Sequence, residues 1–121
     1  VTSACQVAAL DGFSMIVTRE FYSAMRGWES CAANGIYFHM NDAWISCAAA
    51  ELGYETWMLP VECHHAGGQT SVGRQADYAK VVERLGFTSP QDLYDKAHER
   101  IYKQFQRVLP IRVPHKLTKE D

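Results

Sequence analysis

Residues 38–54 read FHMNDAWISCAAAELGY, and this stretch decides how the chain is understood. Asn41 or Asp42 supplies an N-cap, and AWISCAAAEL then runs as a helix until Gly53 ends it in the left-handed position. Almost every residue of that run is apolar or small, so the helix is expected to be packed on most sides. A helix of this kind needs layers around it, and the neighbouring segments must supply them.

Upstream, residues 4–10 (ACQVAAL) and 13–17 (FSMIV) are apolar and partly β-branched, separated by Asp11-Gly12. They read as two strands, or as one with an irregularity at the glycine. Thr18 is an N-cap for a short helix over 19–26, which Gly27 stops. Residues 27–41 lack a clean period and read as a long loop of the kind that often carries function. Downstream, TWMLPV (56–61) reads as a strand whose Pro60 favours an edge or an end. His64-His65-Ala66-Gly67-Gly68 forms a turn. Val72, Ala76, Ala79, Val82 and Leu85 mark a helix over 72–85. Ser89-Pro90 opens a second helix, with Leu93, Ala97, Ile101, Phe105 and Val108 as its apolar stripe to near Leu109. Pro110 and Pro114 break it, and the C-terminal KLTKED reads as a solvated tail. The sum is α/β with few strands. A three-strand sheet would not cover both an internal apolar helix and two amphipathic ones, so part of a sheet is expected from a missing N-terminal half or from a second copy. The chain begins at Val1 rather than Met, which points the same way: a processed chain or a piece of a longer one.

The chain has 121 residues, 47% of them hydrophobic and 21% charged, enough for one domain with a core. That composition excludes a disordered, collagen-like or coiled-coil protein. No stretch approaches the ~20 apolar residues of a membrane span, and no basic-then-apolar leader opens the chain. The net charge of −2 conceals an acidic half (residues 1–73, two basic against seven acidic groups) and a mildly basic one (residues 74–121, ten against seven). Neither suits nucleic acid. The four cysteines, Cys5, Cys31, Cys47 and Cys63, contain no CxxC pair, which disfavours a zinc ribbon or a thioredoxin-like motif. Cys47 in its Ala-rich run reads as a buried free thiol, in keeping with a reducing, cytoplasmic setting. The basic C-terminal helices would permit contact with the inner membrane surface, although their mixed-sign charges fit an ordinary solvated face better.

Three features carry chemistry. Asp42 places a carboxylate in the first turn of a helix, where the helix terminus favours its ionised form and a loop can present it to a cleft, as a general base requires. Taken alone, helix capping accounts for it. His64 and His65 follow a strand end beside small residues, where an imidazole could meet a divalent metal or a phosphate. Only one of two adjacent side chains on an extended segment should enter a given site, and taken alone the pair is a surface turn. Trp28 and Glu29, on a loop, could line a sugar site by stacking and by accepting from hydroxyls, or Trp28 could simply pack the loop down. Trp44 and Trp57 read as core.

In this order and spacing the three features resemble the C-terminal half of a family 2 glycosyltransferase with the GT-A fold, over roughly residues 7–70. The matching residues are DGFSMIVTREF (11–21), RGWES (26–30), Asn41-Asp42 opening a helix closed by Leu52-Gly53-Tyr54, and MLPV (58–61) followed by HHAGG (64–68). The Phe-His-x-x-Asp form at 38–42 is closest to compact bacterial or phage-type members. The resemblance implies residues 1–70 as the acceptor and catalytic-base half of a GT-A domain and 71–121 as a C-terminal helical extension. It implies an inverting transfer of a sugar from a nucleotide-diphosphate donor to a hydroxyl acceptor on a glycan, a lipid-linked carrier or another molecule. Asp42 would be the base, His64 or His65 would help hold a divalent cation (Mn or Mg) on the diphosphate, and Trp28, Glu29 and Asn41 would line the acceptor side. The chain departs from the pattern in having Asn41 and Trp44 where the family has acids. It also lacks the Asp-x-Asp of the nucleotide-binding half, since Asp11-Gly12 is not one. The isolated chain is therefore expected to be inactive. The alternative is a small metal-binding or interaction module with a structural His pair, which tight zinc binding through Cys63 and His64 would reveal. A third possibility is a transferase remnant kept as a scaffold.

Overall fold

The computed structural model describes residues 3–37, 39–67 and 74–114. Seven elements follow in chain order: β1 (Cys5–Gln6), α1 (Arg19–Ala24), α2 (Glu29–Ala33), α3 (Asn41–Glu51), β2 (Trp57–Met58), α4 (Gln75–Arg84) and α5 (Pro90–Gln104). The class is mixed helix and sheet, with a sheet of two short antiparallel strands that pair Cys5 with Met58 and Gln6 with Trp57.

The helix ends obey local rules. Thr18 Oγ1 accepts from the Phe21 N–H at 3.2 Å and opens α1. Arg26 and Gly27 then take positive φ (65° and 69°), and the Gly27 N–H returns to the Tyr22 carbonyl at 2.8 Å, closing the helix. A Cβ on Gly27 would sit 2.8 Å from Glu29 Oε2 and 3.0 Å from the Tyr22 hydroxyl, side-chain ends that would have to shift, so it is chiefly the positive φ that favours glycine there. Ser89 caps α5 by accepting from the Asp92 N–H at 3.0 Å, with Pro90 in the first turn. Asp92 reaches back to the Thr88 N–H at 2.9 Å and is joined by Lys96 at 3.1 Å. The Thr88 bond, then the Lys96 contact, holds its carboxyl below the usual range.

The main core joins α3 to the helices on either side of it in sequence: Phe21, Met25, Cys31 and Ile36 from the first part, Trp44, Ile45, Cys47, Ala48 and Ala49 from α3, and Ala97, Ile101 and Phe105 from α5 and its end. Trp44 and Phe105 meet edge to face at 4.8 Å. Residues 44–49 are all buried, as the apolar run required. A second, smaller cluster of Tyr78, Val82 and Leu93 closes the α4–α5 hairpin, so α5 serves both. All four cysteines are free thiols, and burial pushes those of Cys31 and Cys47 up, which keeps them protonated and unreactive.

Several expectations need correction. Residues 13–17 form no strand: Met15 and Val17 pack on the core while Ile16 stands 87% exposed, and among the described residues no strand pairs with the segment. The strand over 56–61 shrinks to two residues for the same reason. Trp57, expected in the core, is exposed on the two-residue strand β2, and its indole donates to Glu55 at 2.9 Å. The loop over 27–41 contains α2, whose Cys31 is anchored in the core. Neither Asn41 nor Asp42 is the N-cap. That position falls to Met40 at φ 69°, and Asn41 and Asp42 are the first two helical residues. The last helix ends at Gln104, short of Leu109. Val72, Phe38, Gly68 and the KLTKED tail lie outside the described residues. Among the described residues, no helix is long and apolar enough to cross a membrane.

Candidate active site

Asp42 is held at both oxygens. Oδ1 accepts from the Ala43 N–H at 2.8 Å, satisfying one orphan amide of the α3 terminus, and Oδ2 accepts from the Gly12 N–H at 2.9 Å. Asn41 does the same one residue earlier, accepting from the Asp42 N–H at 3.0 Å. The capping duty is therefore met from inside the helix, and one Asp42 oxygen is turned outward onto the turn at Asp11–Phe13. A Cβ at position 12 would stand 3.4 Å from Oδ2, in van der Waals contact with the carboxylate. The turn itself is closed by Asp11, whose side chain accepts from the Phe13 N–H at 3.0 Å.

Ser46 fixes the same junction from below. It is 2% exposed, donates to the Asp42 carbonyl at 2.8 Å and accepts from the Leu10 N–H at 3.2 Å. Two amides of the 10–12 segment are thereby tied to one face of α3. Sequence reasoning missed Ser46; its signal was a lone hydroxyl in an apolar run, one helical turn after Asp42.

The His turn reaches this place through the same three residues. The His65 ring packs on Phe13 at 4.5 Å between centroids, so Asp42 and His65 contact adjacent residues of one turn. Both histidines of the pair are exposed. Among the described residues no three histidines, cysteines or carboxylates gather as a complete metal centre. At this turn the described residues offer a divalent cation no more than a single imidazole, that of His65.

No protein-family model matches this chain, and no curated protein or solved structure is significantly similar to it.

Trp28 and Glu29 belong to a separate group. Trp28 is 44% exposed and meets Tyr22 edge to face at 5.5 Å, and Glu29 opens α2 with its carboxylate over Gly27. Their group is built on the α1–α2 turn, whereas Asp42 and His65 each contact the Asp11–Phe13 turn. The C-terminal end of α2 is tied to α5 by Asn34, which donates to the Ser30 carbonyl at 2.7 Å and accepts from Arg100 of α5 at 3.0 Å.

Proposed function

We propose that this chain is the acceptor-side, base-bearing half of an inverting GT-A glycosyltransferase, and that it works with a nucleotide-binding half that its 121 residues do not include. One observation carries the proposal: the Asp11–Phe13 turn is contacted by the Asp42 carboxylate and by the His65 ring, two groups far apart in the sequence. A base and a cation-holding imidazole beside one turn is the arrangement that sugar transfer from a diphosphate donor needs.

In this assignment Asp42 takes the proton of the acceptor hydroxyl as its oxygen attacks the anomeric carbon. The two amides at Asp42 hold the carboxylate in one orientation, and a fixed base needs no reorganisation at the moment of attack. A divalent cation, when bound, would neutralise charge on the departing diphosphate.

The test is turnover. A longer coding product that includes the nucleotide-binding half should transfer sugar from a member of a UDP-, GDP- or dTDP-sugar panel with Mn²⁺ or Mg²⁺, and the 121 residues alone should transfer little or none. Robust turnover by the isolated chain would overturn the division into halves. Silence of the longer protein across the whole panel would overturn the transferase.

A further inference from the structure

Where the chain runs from α3 into β2, the exposed residues Tyr54, Glu55 and Trp57 edge a pocket of about 250 Å³. Its buried lining includes Phe21 of α1 and Ile45 and Ala49 of α3. The volume lies below the ~300–1,000 Å³ of drug-sized ligand sites, so its occupant is small. The catalytic assignment makes no use of this pocket.

The lining selects by charge. The buried part is apolar, and the two hydroxyls beside it are already engaged. Thr18 Oγ1 accepts from the Phe21 N–H, and Ser46 accepts from the Leu10 N–H while donating to the Asp42 carbonyl. The inner end therefore suits an alkyl group, which asks for no hydrogen bond. At the outer end Glu55 carries the one charge among the described lining residues. Its Oε2 accepts from the Trp57 indole N–H at 2.9 Å, which sets the carboxylate beside that ring. Among the described residues the ion pairs are Arg74–Asp77 and Lys96–Asp92, so Glu55 is not neutralised by either. An anionic ligand would be repelled here, and a neutral one would gain nothing from the charge. A cation gains from the carboxylate and also from the partly open rings of Trp57 and Tyr54.

We propose that this pocket binds a small alkylammonium, with the alkyl group against Phe21, Ile45 and Ala49 and the ammonium at Glu55 and Trp57. The proposal stands apart from sugar transfer and is measured without turnover.

The experiment titrates the chain with n-butylammonium, 1-butanol and butanoate, which share a shape and differ in charge. It follows the Trp57 indole ¹H–¹⁵N signal and the Ile45 and Ala49 methyl signals. n-Butylammonium should move these signals together along one saturable curve. 1-Butanol should bind about fivefold more weakly, and butanoate more weakly again. Glu55→Gln keeps an oxygen for the Trp57 indole and removes the charge. It should weaken n-butylammonium about three- to fivefold, leave 1-butanol unaffected and leave the thermal midpoint little changed. Absence of saturable shifts with n-butylammonium would overturn the site. Equal affinity for 1-butanol, or undiminished ammonium binding in Glu55→Gln, would overturn the selection by charge and with it the proposal.

Discussion

Asp42→Asn should lower transfer by the longer, nucleotide-binding protein by about 10²–10⁴-fold, almost all of it in kcat. The substitution keeps the shape of the side chain and one acceptor oxygen but removes the capacity to take a proton. Its structural cost is modest. One of the two amides at Asp42 loses its partner, which costs roughly 1–3 kcal/mol at most where the amide is buried and less here, where Gly12 is exposed. Loss of negative charge at the α3 terminus adds about 0.3–1 kcal/mol. Ser46→Ala is the companion variant. It removes the tie to the Leu10 N–H and costs about 1–3 kcal/mol while leaving the carboxylate in place. Ser46→Ala should therefore lose stability with far less loss of kcat, and Asp42→Asn the reverse. Steady-state kinetics and urea midpoints on both variants separate the two roles. Unchanged transfer in Asp42→Asn would remove it as the base.

Trp44→Ala should cost about 3–5 kcal/mol, a large share of the ~5–15 kcal/mol that holds a domain together. The indole is 5% exposed and joins α3 to the end of α5 through Phe105, so its removal leaves a void where two helices must meet. The neighbours are small: Cys47, Ala48 and Ala49 of α3 have no side-chain length with which to fill it. Tyr102→Ala, on the exposed side of α5 at 65% exposure, should change stability by no more than about 0.5 kcal/mol. Urea unfolding followed by far-UV circular dichroism measures both. Equal losses at the two sites would mean that α3 and α5 do not share a core.

The helical skeleton was legible because its signals are local. Thr18 and Ser89-Pro90 open helices, Gly27 and Gly53 end them, and the Leu93–Phe105 stripe marks a buried face, each by rules that act within a few residues. The sheet was not legible in its true extent. Strand propensity in FSMIV and TWMLPV says that a segment suits a sheet, not that a partner lies beside it, and here pairing reaches only two residues a side. Met40 illustrates a second limit. Nothing in a methionine signals a positive φ, and its taking the cap position moved Asn41 and Asp42 into the helix. The link between Asp42 and the Asp11–Phe13 turn lay equally out of reach, since it is a contact across thirty residues. Chemistry-bearing residue types were visible in the sequence; the convergence of Asp42 and His65 on neighbouring residues of one turn was a property of the fold.

The most direct measurement of that convergence is paramagnetic broadening by Mn²⁺ in the labelled longer protein, with the nucleotide-sugar donor bound. The account predicts that the Gly12 and Asp42 amides and the His65 ring broaden together, and that all three recover when Mg²⁺ replaces Mn²⁺. Broadening confined to distant groups, such as the α4–α5 hairpin, while those three signals stay sharp would contradict it.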